Sequence, residues 1–244
     1  MPPRVKLDPL VIAGREAMAF ARQAWLLRHD TRGAAAPSAV DHGDDVVVFL
    51  HGLFASAGVL RPLRAAVTRH RGVHTAALSY PPGPGIEELS ERLRALLDTL
   101  PSAARVHLVG HSLGGLVVRH FVQERGDARV VQTISLATPF AGIPRASWLG
   151  LACARDLEHQ SPLLRRLRLR CASSPVPHLS IVAGADSLVK SPVAHALPGG
   201  EVIVMQGRGH NTLLFDDEVA RIVEGRVLSR RSPASAGAPP VAAE

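Results

Sequence analysis

Cysteine, tyrosine and lysine are scarce in this chain, and long apolar runs are absent. Two cysteines, Cys153 and Cys171, are too few for a disulfide-built scaffold. With no export signal evident they read by default as reduced thiols. No run of about 18 uncharged apolar residues occurs, so a transmembrane helix is not expected. The opening MPPRVKLDPLVIAGREAMAF has an apolar stretch only from Leu10 to Gly14 before Arg15 and Glu16. That is too short and too charged for a secretory signal. A cytoplasmic location, or one peripheral to the inner membrane surface, is the expectation. All 28 basic residues except Lys6 and Lys190 are arginine, and the net charge is +7. The arginines are scattered, and only RRLRLR (165–170) forms a cluster. With a single tyrosine the chain offers little for base stacking or groove reading, so nucleic acid is not an expected partner.

What is present suits one α/β domain. The 244 residues, 46% of them hydrophobic, can bury a substantial core but not two ordinary domains. Residues 9–28 place Leu10, Ala13, Ala17, Phe20, Ala21, Ala24 and Leu27 at helical spacing, with Arg15, Arg22 and Gln23 elsewhere on the wheel. This amphipathic helix is expected to pack on the main domain. A membrane-surface anchor is the lesser reading, because anchors need a stronger basic face. Residues 29–44 are small, polar and broken by Gly and Pro, and read as a loop. The Pro/Ala-rich stretch 229–244 reads as a disordered tail.

Between these ends, short apolar runs alternate with helical patterns. The runs are DVVVFL (45–50), HTAALSY (74–80), RVHLVG (105–110), VVQTISL (130–136), PHLSIVAG (177–184) and EVIVMQG (201–207). Helices are predicted from Ile86 to Leu100, after Ser112, and around Val219, Ile222 and Val223. Continuous buried strands alternating with helices imply a mostly parallel sheet covered on both faces.

Within VGHSLGG (109–115), Gly110, Ser112 and Gly114 form the pattern G-x-S-x-G. By itself the pattern arises by chance in roughly one such chain in ten, so its surroundings must decide. Ser112 follows the strand RVHLVG and directly precedes a helix. A nucleophilic hydroxyl needs such a sharp strand–turn–helix, with flanking glycines removing side chains that would clash. The helix starting at Leu113 adds N–H groups and a positive dipole end. A serine also needs a base, and position selects among the twelve histidines. His210, in GRGHN, follows the last strand. His107 is committed within a strand, and His111 adjoins Ser112 but points away on the turn. His51 also ends a strand but lies in HGLFAS, where a different role is read, and the remaining histidines, His195 among them, hold no matching position. The base in turn needs a carboxylate. Asp186, in AGADSLV, lies just beyond the strand HLSIVAG; its ordinary role would be a turn aspartate bonding its own backbone. Asp216 and Asp217 look like first-turn residues of the last helix. The order Ser112, Asp186, His210 places all three at strand ends, where open parallel sheets collect function.

These positions resemble the α/β-hydrolase superfamily and, within it, bacterial lipases and esterases. The segments that carry the likeness are VVVFLHGLFAS (46–56), VGHSLGGLVVRH (109–120), ISLATPFAGIP (134–144), IVAGADSLV (181–189) and GRGHNTLLF (207–215). The resemblance implies an α/β-hydrolase fold: a central sheet of about six strands, helices on both faces and a helical cap or lid insert at 139–176, within a domain spanning 45–228 after an N-terminal segment 1–44. It assigns Ser112 as nucleophile, Asp186 as acid and His210 as base, with the backbone N–H groups of Leu53 and Leu113 as oxyanion donors. His51 resembles the family's structural histidine, which shapes its loop. Two departures stand out: Phe140 replaces the usual His of the lipase "GTPH-x-G" stretch, and HGLFAS lacks the later glycines of "HGGG". Phe54, Phe140 and Trp148 are candidates for an acyl groove, together with the leucines of the insert. Cys153 and Cys171 bracket that insert and could staple it if the protein were exported.

The expected activity is hydrolysis of carboxylic esters through an acyl-enzyme, on a small-molecule or lipid ester. No metal or organic cofactor and no obligate protein partner is expected, while contact with a lipid interface is left open. A thioesterase or acyltransferase would use the same triad. A catalytically silent fold serving as a binding module is the alternative from another class.

Overall fold

The computed structural model describes residues 8–31, 33–37, 39–170, 174–189 and 191–231. Seven helices are described: α1 (Pro9–Leu26), α2 (Arg61–Val67), α3 (Ile86–Asp98), α4 (Leu113–Glu124), α5 (Ala152–Leu157), α6 (Pro162–Arg170) and α7 (Asp217–Leu228). The strands are β1 (Ala34–Ala35), β2 (Asp45–Leu50), β3 (Val73–Leu78), β4 (Arg105–His111), β5 (Val130–Leu136), β6 (His178–Ala183) and β7 (Glu201–Met205). They form one sheet in the order β1-β3-β2-β4-β5-β6-β7, in which β2 to β7 run parallel.

The six parallel strands are those expected from the apolar runs. β1 is the addition: two alanines inside the expected loop pair antiparallel with Leu78 and Ala77. Two residues carry no readable periodicity. α2 was likewise unpredicted, being too short for a helical repeat to register.

The continuous run DVVVFL is buried along its whole length because both sheet faces are covered. Val46, Val48 and Leu50 face a layer built from α3, α4, α5 and α6. Val47 and Phe49 face the opposite layer, which holds α2 and α7. β7 is the exception, an edge strand with Val202 and Val204 exposed.

α1 rests on the α2/α7 side, but through a different face from the one its pattern suggested. Ala19 is buried and Ile12, Glu16, Gln23 and Leu26 are half-buried, while Leu10, Ala13, Ala17, Phe20, Ala21 and Ala24 face outward. The insert packs on the sheet as well. Leu157, Leu163, Leu164 and Leu167 are all buried in the core rather than lining an open groove, whereas Trp148, Leu149 and Leu169 are exposed. Arg166 of the basic cluster pairs with Glu87 and reaches Glu124 at 3.8 Å. Cys153 is buried; Cys171 lies outside the described residues, and with it the pairing of the two.

Beyond α7, Arg231 Nε reaches Asp45 Oδ2 at 3.2 Å, so the first residues of the expected tail belong to the fold. The rest of that tail, 232–244, lies outside the described residues. Asp45 has no exposed side-chain surface and also accepts from His107 Nε2 at 2.8 Å and Arg105 Nε at 3.2 Å. Gln132 Nε2 donates to His107 Nδ1 at 2.7 Å, which commits that histidine within the strand as expected. Burial pushes the Asp45 carboxyl up, but the His107 bond and the neighbouring guanidinium outweigh it and hold the group below its ordinary range. Removing one member of such a buried set strands the others without a partner. Asp45→Ala should therefore cost about 3–5 kcal/mol, read as a lowered urea midpoint with little change in slope.

Candidate active site

The chain leaves β2 for β3 on one side and returns to β4 on the other. The loops after β2 and β4 therefore emerge side by side at the switch point of the sheet, where a crevice opens. Leu50 is in register with Gly110, which brings His51–Gly52 against the turn at Ser112.

Ser112 adopts φ 53° and ψ −118°, a conformation that costs an L residue on the order of 1–3 kcal/mol. Ser112 N–H to Leu136 O at 2.9 Å and Gly115 N–H to Ser112 O at 3.1 Å hold it there. The two motif glycines are needed for space. A Cβ on Gly110 would lie 2.4 Å from Gly115 N, and one on Gly114 would lie 2.4 Å from Leu50 O. α4 begins at Leu113, whose N–H, as the first of the helix, has no partner within it. A Cβ on Gly52 would sit 3.1 Å from Ser112 Cβ, so the backbone leading to Leu53 lies directly on the turn.

His51 shapes that loop. Its Nδ1–H donates to Gly52 O at 2.8 Å and its Nε2 accepts from Tyr80 N–H at 3.2 Å. Its ring stacks on Tyr80 with centroids 4.0 Å apart, and the Tyr80 hydroxyl donates to His51 O. Both ring nitrogens are thereby used, and burial holds the group down to about 4.

His210 and Asp186 meet. Nδ1–H of His210 donates to Asp186 Oδ2 at 2.7 Å in a buried contact, leaving Nε2 as the other ring nitrogen. The turn reading of Asp186 holds at the same time, because Oδ1 accepts from Leu188 N–H at 2.8 Å and Val189 N–H at 3.0 Å. One oxygen fixes the side chain and the other engages the imidazole. Burial raises the Asp186 carboxyl, but the His210 hydrogen bond and charge, the Val189 N–H and His195 together bring it below its ordinary value.

Three further residues were not singled out from sequence. His195 was placed among histidines without a matching position, yet its Nε2 lies 3.5 Å from Asp186 Oδ2 and 3.2 Å from Val189 O. His111 lies against His210: its Nε2–H donates to His210 O at 3.2 Å, and the rings meet edge to face at 5.0 Å. Glu16, on α1, receives Asn211 N–H at 2.8 Å, Asn211 Nδ2 at 3.1 Å, Thr212 N–H at 3.1 Å and Thr212 Oγ1 at 2.7 Å. It clamps the loop immediately after His210. No local pattern announces Glu16 or His111, whose partners lie far along the chain, while His195 is only nine residues beyond Asp186 and is returned to it by the intervening loop.

Beside the turn, Leu53, Phe54, Pro81, Pro82, Pro84, Leu113 and Cys153 bound a tight cleft with no room for a water molecule. Phe54 has φ 58° and stands half exposed at its edge. Phe140 is buried, its ring edge-on to His178 at 5.6 Å with Arg119 5.6 Å from its centroid. Its ring is core surface rather than open groove. Trp148 stands exposed on the turn before α5. Among the described residues no three His, Cys, Asp or Glu side chains gather as metal ligands.

The sequence profile of the Alpha/beta hydrolase family matches residues 47–170. No curated protein matches the chain by sequence. Among solved structures, a Bacillus licheniformis lipase superposes with a TM-score of 0.62 at 15% identity, covering 80% of this chain and 96% of its own. A metagenomic carboxyl esterase gives 0.61 at 16% identity, with 94% and 96% covered. A bromoperoxidase from Bacillus anthracis gives 0.58 at 16% identity, with 77% and 93% covered. At such identities the likeness is one of fold, and these names span more than one chemistry.

Two outcomes follow from the geometry. Glu16→Ala removes a charged acceptor from two backbone amides, each such bond being worth about 1.5–3 kcal/mol. Amide exchange at Asn211 and Thr212 should accelerate by about tenfold to a hundredfold, while β2 and β4 amides keep their protection. The second outcome concerns pH. Burial holds His51 down to about 4 and His111 and His178 down to about 3, with His210 beside His111 adding to the effect there. These folded-state values lie below that of an unfolded histidine, near 6.5. The unfolded chain therefore takes up protons first, and stability is full above that value and falls as pH drops below it. Each group contributes a slope of about 1.4 kcal/mol per pH unit. Urea unfolding from about pH 7 to about pH 4.5 should show this loss; a stability that rises on acidification would contradict it.

Proposed function

The chain belongs to the alpha/beta hydrolase family, and on that footing we propose that it hydrolyses carboxylic esters through an acyl-enzyme on Ser112. The observation that carries the reading is the buried 2.7 Å contact between His210 and Asp186, combined with a serine held at a strained strand–helix turn. In this reading Ser112 Oγ attacks the acyl carbonyl as His210 Nε2 accepts its proton. Asp186 holds the imidazole tautomer and stabilises the imidazolium. The N–H groups of Leu53 and Leu113 receive the negative charge that develops on the carbonyl oxygen. His210 then returns the proton to the departing alkoxide. Water, activated by the same imidazole, attacks the acyl-enzyme and releases the acid.

The acyl portion is assigned to the crevice beside Leu53 and Phe54, whose wall is apolar and proline-rich. The segment 139–176 acts as its cap, since α5 contributes Cys153 to that wall. Phe140 anchors the start of this segment in the core, and Trp148 is an exposed apolar side chain of it. As it stands that cleft is too tight even for water, so acyl entry requires the exposed Phe54 and the cap to move apart.

The test is hydrolysis of p-nitrophenyl esters from acetate to palmitate. Activity should be present in the wild type and fall below about one thousandth in Ser112→Ala. Asp186→Asn should lose about 10³–10⁴-fold in kcat with the fold retained. Turnover that rises with an added alcohol or amine, with hydrolysis suppressed, would instead favour acyl transfer. No turnover and no fluorophosphonate labelling of a folded wild type would overturn the reading.

A further inference from the structure

The outer face of α1 is apolar without interruption. Leu10, Val11, Met18, Phe20 and Trp25 are 79, 45, 71, 53 and 62% exposed, and the helix positions between them on that side are alanine or glycine. At about 100° per residue these positions fill roughly half the circumference, with Val11, Met18 and Trp25 stacked at seven-residue intervals. No charge interrupts this half. Exposed apolar surface so contiguous marks a place of contact.

The borders of the face say what would cover it. Arg15 and Arg22 lie along one edge of it, Arg22 with its guanidinium 4.9 Å from the Phe215 ring centroid, and Arg28 lays its guanidinium on the Trp25 ring, 3.2 Å from the centroid. Glu16, the one acid inside α1, is turned inward onto Asn211 and Thr212. Across the groove beside α1, Asp216 is bound by Arg208, and Asp217 opens α7. One edge and the C-terminal end of the apolar face are thus basic, with Asp8 the acid at its N-terminal end, on a chain of net charge +7. A second copy docked two-fold on this face would bring like rims together, whereas an anionic surface complements them. Trp and Phe beside arginine suit the boundary of headgroups and acyl chains. Among the described residues no helix is long and apolar enough to cross a membrane.

We propose that α1 is a lipid-docking helix that lies in the plane of an anionic membrane surface with Leu10, Val11, Met18, Phe20 and Trp25 inserted. The inference stands on α1 and not on the chemistry at Ser112. Should that chemistry be ester hydrolysis, the Glu16 clamp would set the site beside the lipid.

The experiment is co-sedimentation of the full chain with phosphatidylcholine vesicles, with and without phosphatidylglycerol. Sedimentation with the mixed vesicles is expected, together with a blue shift of Trp25 emission in a Trp148→Phe background. Met18→Glu/Phe20→Glu should weaken binding by about tenfold or more, and Arg15→Glu/Arg22→Glu should remove the preference for phosphatidylglycerol. Both variants should keep the wild-type circular dichroism, and the first should keep the wild-type rate on a soluble short ester. That last readout separates a failure here from a failure of the ester reading. Absence of sedimentation with either vesicle, or undiminished binding by Met18→Glu/Phe20→Glu, would overturn the proposal. Equal binding to both vesicles would overturn the anionic assignment. A concentration-dependent dimer abolished by Met18→Glu/Phe20→Glu, without vesicle binding, would give the face to a second copy.

Discussion

The arrangement depends on how closely β2 and the β4–α4 turn are forced together. Gly114 approaches Leu50 O and Gly110 approaches Gly115 so tightly that neither can carry a side chain. That proximity allows α4 to start directly from Ser112 and brings the backbone before Leu53 beside it. The strain at Ser112 is tolerable because its flanking amide and carbonyl are bonded to Leu136 and Gly115. The sheet register therefore sets the backbone position of Ser112.

Electrostatics then separates the histidines by role. His51 and His111 are surrounded by backbone and aromatic groups and are held neutral by burial, so they serve as hydrogen-bonding struts. His210 faces a carboxylate whose other oxygen is already engaged by two amides. That carboxylate cannot swing away, and the charge it keeps is available to the imidazole. His195 lies 3.5 Å from the same Oδ2, so the acid is supported by more than the turn that bears it.

The sequence made the fold and much of the site legible, for an identifiable reason. Strands buried on both faces leave continuous β-branched runs, and G-x-S-x-G records a steric requirement in adjacent positions. Asp186 and His210 were readable because each follows a strand. Glu16 and His111 were not, because their significance depends on which distant loop they touch, and His195 was not, because the short segment that folds it back onto Asp186 has no regular repeat. The packing face of α1 was misread for a related reason. Apolar periodicity shows that a helix has two unlike sides, and burial of the apolar one is only the usual outcome. Here a carboxylate bonded to a loop, together with Ala19, holds the helix through its narrower side. The insert leucines illustrate the reverse case, being taken into the core where a groove was expected.

The Glu16 clamp spans 195 residues of sequence to reach Asn211, and Arg231 reaches back 186 residues to Asp45. Contacts of such separation form late, since the chain must close a long loop before either reward is gained. During synthesis, β2 to β6 can assemble with Ser112 already on its turn while the segment bearing His210 is still to come. The helix made first thus waits for the loop made last, and the site is completed by the joining of the two ends of the fold. A nascent or truncated chain would hold Ser112 on its turn while the loop of His210 had yet to be anchored to α1.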